Sequence, residues 1–247
     1  MSNEFLSQPP RSQRTSLLLG PENLQKLASA RVLVLGLGGV GAFAAEALAR
    51  AGVGELVLID SDSVEESNCN RQLIALTSTL GKPKAEVLAA RVRDINPAVR
   101  VTPLIQYLED ANIDELLATK FDFAVDAIDS LTPKVNFILK CRAAKIPTVS
   151  ALGAGGKLDP AQVRLADISK TYGCALGRVV RKKLRDNQVY KGVMTVFSPE
   201  IVDPEAVYTY PRELKNHRSM AGTISYMPAI FGLHCASYVI RKLTGKL

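Results

Sequence analysis

Short apolar runs alternate with longer amphipathic stretches through the first two thirds of this chain. Residues 32–35, 56–60, 99–105, 121–126 and 147–151 read as strands, and several are continuous apolar runs of the kind buried on both faces of a parallel sheet. Residues 43–50, 83–96, 112–117 and 131–145 read as the helices between them. The clearest, 83–96, opens on a proline and carries Val87, Leu88, Val92 and Ile95 as one stripe. This alternation predicts an α/β fold with a Rossmann-like doubly wound, mostly parallel sheet. Residues 14–20 and 21–30 are two short helical pieces leading into the first strand, and the polar residues 1–13, with Pro9 and Pro10, read as a flexible arm.

After Gly153, Gly155 and Gly156 the pattern changes to a smaller strand and helix extension. Residues 163–168 read as an edge or return strand, 174–186 as a basic helix, 192–198 as a strand and 199–216 as a loop rich in proline and charge. Residues 223–243 close the chain as a helix. Its 223–240 stretch is apolar enough to raise a membrane reading, but Ser225, Pro228, His234 and Ser237 interrupt it, and it sits at the lower limit of the roughly 17–25 residues a span needs. A core or dimer-interface helix is expected instead.

Composition narrows the setting. With 247 residues and 47% apolar content, one large domain with an ample core is expected. The four cysteines, Cys69, Cys141, Cys174 and Cys235, form no C-x-x-C pair, which argues against a zinc knuckle and a disulfide framework and for a reducing compartment. The first residues lack a basic segment followed by an apolar core, so no secretory signal is read and a cytoplasmic location is expected, with peripheral membrane association as the lesser alternative. A net charge of +7 permits a polyanionic partner.

The chemistry concentrates between residues 31 and 72. Gly36, Gly38 and Gly41 stand at G-x-G-x-x-G spacing where strand one turns into a helix. Glycines there allow a tight turn and a close approach of backbone to phosphate, and a helix N-terminus offers free N–H groups with about half a unit of positive charge. Asp60, at the end of strand two and about 20 residues on, stands where ribose hydroxyls are gripped. NAD is the obvious rival ligand. Against it stand Asp62, Asn68, Arg71 and Gln72, followed by Lys84 at the mouth of the next helix. Cations reaching toward the phosphates suit cleavage at the α-phosphate of ATP, where charge develops in the transition state. Asp129, at the carboxyl end of a central strand, suits Mg²⁺, a hard cation served by carboxylate and phosphate oxygens.

Together, Gly36-x-Gly-Gly-x-Gly41, Asp60-x-Asp62, Asn68-x-x-Arg-Gln72, Lys84 after Gly81, and Asp126-x-x-Asp129 resemble the ubiquitin-activating-enzyme-like adenylyltransferases over about residues 14–168. Within them the chain is most similar to the tRNA threonylcarbamoyladenosine dehydratases, through Arg14-Thr-x-Leu-Leu-Leu-Gly20, Ser150-Ala-Leu-Gly-Ala-Gly155, Lys157-Leu-Asp-Pro160, Ala166-Asp-Ile-x-Lys-Thr171 and Cys174 followed by Arg181. That resemblance implies ATP-dependent cyclisation of threonylcarbamoyladenosine beside the anticodon of tRNA by a homodimer, with Mg²⁺ and without DNA as a partner. It implies an ATP-binding domain over 14–168 and an extension over 169–247, packed on the same domain and carrying tRNA and dimer contacts. It assigns Gly36, Gly38, Gly39 and Gly41 to the nucleotide, Asp60 to the ribose, and Asn68, Arg71 and Lys84 to phosphates. Asp129 would serve Mg²⁺, and Arg14 would be an arginine finger crossing the dimer. Asp62 and Gln72 complete the expected nucleotide set. The absent C-x-x-C pairs and the absence of a dedicated domain for a ubiquitin-like carrier weaken one alternative, an adenylyltransferase for a carrier ending in Gly-Gly; an NAD-binding module is the other alternative.

Plainer readings stand beside these. Asp129 also suits a helix cap, Asp62 a turn, and Lys84 a solvated first-turn lysine, although a lysine there opposes the helix dipole. Arg11 competes with Arg14 for the finger. Cys174, at a basic helix start, admits a persulfide or thioester role with a cysteine desulfurase partner, but packing is the expectation for it and for Cys69. His217 and His234 have no partner motif. Arg178, Arg181, Lys182 and Arg185 share one helical face, suited to solvent or to a tRNA backbone.

Overall fold

A computed structural model describes residues 8–210 and 219–246. Helices α1 (Gln13–Leu19) and α2 (Pro21–Ser29) lead into strand β1 (Arg31–Leu35), followed by α3 (Gly41–Ala51), β2 (Glu55–Ile59), α4 (Lys84–Ile95) and β3 (Arg100–Leu104). Then come α5 (Asp110–Leu117), β4 (Phe123–Asp126), α6 (Leu131–Ala143), β5 (Thr148–Ala151), β6 (Arg164–Asp167), α7 (Ala175–Asp186) and β7 (Met194–Phe197). Strands β8 (Val207–Thr209) and β9 (Ser219–Ala221) form a small hairpin before α8 (Tyr226–Thr244).

The main sheet has seven strands in the order β3-β2-β1-β4-β5-β7-β6, all parallel except β6, which runs against β7 at the edge. Alternate residues of each strand face opposite layers. Val32, Val34, Leu56 and Leu58 pack with α3, α4 and α8, while Leu33, Leu35, Val57 and Ile59 pack with α5 and α6. Such two-sided burial is why the strands read as unbroken apolar runs. A third cluster joins α6 to α7 through Ile138, Val180 and Leu184. Sheet membership ignores residue 168: β7 lies beyond it in sequence yet inserts between β5 and β6.

Helix α8 is a core helix. Met227, Phe231, Cys235 and Val239, spaced by four, are fully buried. At Gly232 a Cβ would come within 2.3 Å of Val40 O, so the absent side chain lets α8 lie directly on the start of α3. None of the helices among the described residues is long and apolar enough to cross a membrane. Within the N-terminal arm, Pro10–Ser12 form a short 3-10 turn and Gln13 already belongs to α1. The expected loop 199–216 contains β8, whose three residues pair with β9 across a segment too short and too polar to show periodicity.

One ionic network lies wholly inside. Lys134 and Asp126 are both 0% exposed and pair at 2.7 Å. Ser150 Oγ donates to the same Asp126 oxygen at 2.6 Å, Lys134 Nζ also donates to Ala151 O at 2.8 Å, and Ile128 N donates to Asp126 Oδ1 at 3.1 Å. The network ties the start of α6 to the carboxyl ends of β4 and β5 and shapes the turn that follows β4. Removing one partner of such a pair leaves a buried charge alone. Lys134→Met is therefore expected to lower the unfolding free energy by about 3–5 kcal/mol in denaturant titrations, and Lys134→Met with Asp126→Leu to recover most of it. A single-variant loss below about 1 kcal/mol would show that Lys134 is not needed to compensate the buried Asp126.

Candidate active site

The site is built where the sheet reverses its strand order, between β1 and β4, the usual ligand crevice of an open α/β sheet. Gly36 takes φ +82°, and a Cβ there would sit 2.8 Å from Ala127 O. A Cβ on Gly41 would meet Gly36 O at 1.8 Å. The first and last glycines of the motif thus close the turn on itself and on the β4 loop. Gly39 has a different neighbour: its Cβ would meet Pro228 of α8 at 2.9 Å and Arg71 O at 3.4 Å. Gly38 has room, with only the Gln72 carboxamide at 3.5 Å.

Asp60 follows directly on β2 and braces this turn, accepting from Leu37 N at 2.6 Å and Asp62 N at 2.8 Å. Burial pushes its carboxyl above the ordinary carboxylate range, against those two backbone donors. Each carboxylate oxygen keeps a lone pair for a sugar hydroxyl. Asp62 is exposed and takes Lys84 Nζ at 2.9 Å, while Lys84 N donates to Asp62 O. The Lys84 side chain is buried at the first position of α4, and its ammonium has further protons for an anion.

The loop after β2 presents Asn68, Arg71 and Gln72. Asn68 is buried and caps its own turn, accepting from Glu65 N and donating to Ser67 Oγ. Arg71 is held through one nitrogen: Nη1 donates to Ser67 O at 2.9 Å and to Asn70 Oδ1 at 2.8 Å. Gln72 is buried against Gly38, and its Oε1 is a buried oxygen without a partner. Cys69, expected as packing, is exposed on this loop, because the buried positions are taken by Asn68 and Gln72.

Asp129 stands exposed three residues past the end of β4, two past the Ala127 that touches Gly36, and among the described residues its carboxylate accepts only Ser130 Oγ, at 3.3 Å. A carboxylate so lightly used suits Mg²⁺, which needs one or two protein carboxylates beside phosphate oxygens. Arg14 is exposed on α1 and makes no hydrogen bond or ion pair among the described residues, whereas Arg11 donates to Ile95 O beside the amino ends of the strands. That end also carries a cleft of about 920 Å³, lined by Arg11, Leu24, Gly54, Pro97 and Arg100. It lies across the sheet from the glycine turn.

On α7, Arg178, Lys182 and Arg185 are exposed, but Arg181 turns back to donate to Thr171 O at 2.8 Å. The face of four cations expected from helical spacing is thus three exposed ones with Arg181 at its flank. Cys174 caps α7, its buried Sγ accepting from Gly177 N at 3.4 Å. Burial pushes the Cys141 and Cys235 thiols up to about 12. His234 is lowered by burial alone, and His217 lies outside the described residues. The sequence reading missed Lys134, Ser150 and Asn70. Lys134 carried a signal, since a lysine at a helix start opposes the dipole just as Lys84 does. Ser150 stood in a motif of the resemblance without a role, and Asn70 carried no signal.

The family model described as ThiF family matches residues 11–247. The tRNA threonylcarbamoyladenosine dehydratase of Bacillus subtilis is 38% identical over 93% of both chains. That of Escherichia coli is 39% identical over 94% of this chain and 92% of its own. The crystal structure of the Escherichia coli enzyme in complex with ATP superposes with a TM-score of 0.86 at 37% identity, covering 96% of this chain and 94% of that one. The same enzyme in complex with AMP gives a TM-score of 0.84.

The glycines offer a test that separates packing from binding. Gly41→Ala is expected to destabilise by about 3 kcal/mol, because its Cβ overlaps backbone that cannot move away. Gly38→Ala is expected to leave unfolding within about 0.5 kcal/mol of wild type and yet to weaken adenine-nucleotide binding about tenfold in calorimetry, the equivalent of 1.4 kcal/mol. Equal stability losses, or unaltered binding in Gly38→Ala, would remove Gly38 from the site.

Proposed function

This chain belongs to the ThiF family, and from that premise we propose that it is an ATP-dependent tRNA threonylcarbamoyladenosine dehydratase. The reading is supported by one geometric fact: the Gly36–Gly41 turn has the Arg71 loop and the Asp60–Asp62–Lys84 chain on one side and the loop leading to Asp129 on the other. It is further supported by the dehydratases of two bacteria, which match over nine tenths of both chains.

In this reading the glycine turn cradles ATP, with the first N–H groups of α3 directed at its phosphates. Asp60 takes the ribose, and Asn68, Arg71, Gln72 and Lys84 line the nucleotide, with Asp62 holding Lys84 in place. The threonyl carboxylate of the modified adenosine attacks the α-phosphorus and expels pyrophosphate, and the resulting mixed anhydride carries an electrophilic carbonyl. The neighbouring urea-type group closes the ring and AMP leaves. Arg71 and Lys84 stabilise charge growing on the phosphoryl oxygens. Asp129 would hold Mg²⁺, which would supply further neutralisation of the triphosphate. No protein nucleophile is needed, in keeping with a buried Cys174.

The tRNA backbone is met by Arg178, Lys182 and Arg185, with Arg181 at the flank, so binding weakens steeply with salt. The working form is a homodimer acting in the cytoplasm, and Arg14, exposed on α1 and without an ion pair among the described residues, reaches the partner's phosphates. A planar, permanently charged fork suits that task.

The direct test is incubation with ATP and tRNA carrying threonylcarbamoyladenosine, followed by nucleoside mass spectrometry under mild conditions. A cyclic product lighter by one water is expected, and unchanged nucleoside with folded enzyme would refute the reading. Asp129→Asn and Lys84→Ala are each expected to abolish turnover while the protein stays folded, and near-normal turnover in either would remove that residue from the site. Arg14→Ala is expected to be inactive alone. Mixed dimers of Arg14→Ala with Asp129→Asn are expected to regain up to about half of wild-type activity, because both lesions fall in one site. Arginine fingers are worth roughly 10³–10⁵ in rate, so the recovered signal stands far above background. Verified subunit exchange with no recovery would show that Arg14 does not act in trans.

A further inference from the structure

Asn70 sits in the middle of the nucleotide loop, is exposed, and has both ends of its carboxamide in use. Its Oδ1 accepts from Arg71 Nη1 at 2.8 Å, and its Nδ2 donates to Thr223 O at 3.0 Å, 153 residues away in sequence. The acceptor faces a guanidinium, which only donates, and the donor faces a carbonyl, which only accepts, so the orientation of the amide is set by its partners.

Thr223 belongs to the short connection between the β8–β9 hairpin and α8. Gly222 N donates to Ala206 O at 2.7 Å, and Gly156 N donates to Gly222 O at 2.7 Å, which fixes the connection against the hairpin and against the glycine-rich loop after β5. A Cβ on Gly155 would come within 3.0 Å of Ala221 and 3.5 Å of Thr223 Oγ1. Farther along, Pro228 lies against Gly39 of the nucleotide turn. One stretch, residues 221–228, therefore touches both glycine loops and, through Asn70, the arginine. Arg71 Nη1 is the only nitrogen of that guanidinium with a hydrogen bond among the described residues, which leaves the Nε and Nη2 edge to face a ligand.

We propose that Asn70 is a positioning residue, a splint that fastens the Arg71 guanidinium to the 221–223 connection so that its opposite edge is presented to the phosphates of ATP. The inference rests on the reading of Arg71 as a phosphate ligand. An arginine side chain loses much rotamer freedom when it is immobilised. Here that cost is met during folding, before ATP arrives. The C-terminal segment thereby sets a group in the N-terminal half of the site.

Two readouts test this, ATP affinity by calorimetry without tRNA and turnover with tRNA, in Asn70→Ala, Arg71→Lys and the double variant. Lysine has no fork for Asn70 to hold, so a splint that acts through Arg71 predicts non-additivity. Asn70→Ala is expected to weaken ATP binding about three- to tenfold and to lower kcat at least tenfold, with KM for tRNA unchanged. In the Arg71→Lys background, Asn70→Ala is expected to change neither quantity by more than about twofold. Asn70→Asp, which keeps the acceptor for Arg71 but loses the donor to Thr223, is expected to stay impaired. Wild-type behaviour of Asn70→Ala, or losses that multiply in the double variant, would overturn the proposal. If ATP binds and the cycle is non-additive but no cyclic nucleoside forms, the substrate reading falls and the splint stands. Wild-type protein that binds no ATP would sink both.

Discussion

Backbone meets backbone at the carboxyl end of β1, and that contact governs the geometry of everything around it. With Gly41 folded onto Gly36 O, and Gly36 against Ala127 O, the turn has no room for a Cβ at either position. The turn can only leave β1 sharply and enter α3 at once, which points the helix N-terminus into the crevice between β1 and β4. Strands β2 and β4 are hydrogen-bonded to β1 on either side. Their loops, carrying Asp60 and Asp129, therefore emerge next to the same turn.

Asp60, Lys84 and Arg71 around the turn are held by neighbours rather than left to solvent. Asp62 fixes Lys84, Asn70 and Ser67 fix Arg71, and backbone N–H groups fix Asp60. Side chains arranged in advance do not have to be reorganised when charge develops on a phosphate, which is where electrostatic catalysis gains most. The buried Lys134–Asp126–Ser150 network acts on the opposite side of the crevice by shaping the turn that carries Asp129. A buried ion pair gives little net stability against an apolar replacement, since desolvation offsets attraction. Its value here is that it determines where the β4 loop goes.

The C-terminal third completes the site instead of forming a separate body. Strand β7 enters the main sheet, α8 lies on α3 through Gly232, and the connection at 221–223 reaches the Arg71 loop. The basic face of α7 stays outside this core, free for a polyanion.

Much of this was legible in the amino-acid order alone, because the information was local. Continuous apolar strands, the stripe on α4, the glycine spacing and Asp60 at the end of β2 each follow from neighbours in sequence, and they placed the fold class and the nucleotide turn. Lys84 was found by a local anomaly, a cation at a helix start. What only the tertiary structure decided depends on residues far apart in the chain. The insertion of β7 between β5 and β6 is a matter of long-range pairing that strand composition does not encode. The exposure of Cys69 and the turning of Arg181 onto Thr171 depend on which neighbours arrive, and periodicity treats each as an isolated position. Asn70 is the clearest case. One arm of its carboxamide is local, to Arg71, but the other reaches across 153 residues, and no spacing rule connects an asparagine with a backbone carbonyl that far away.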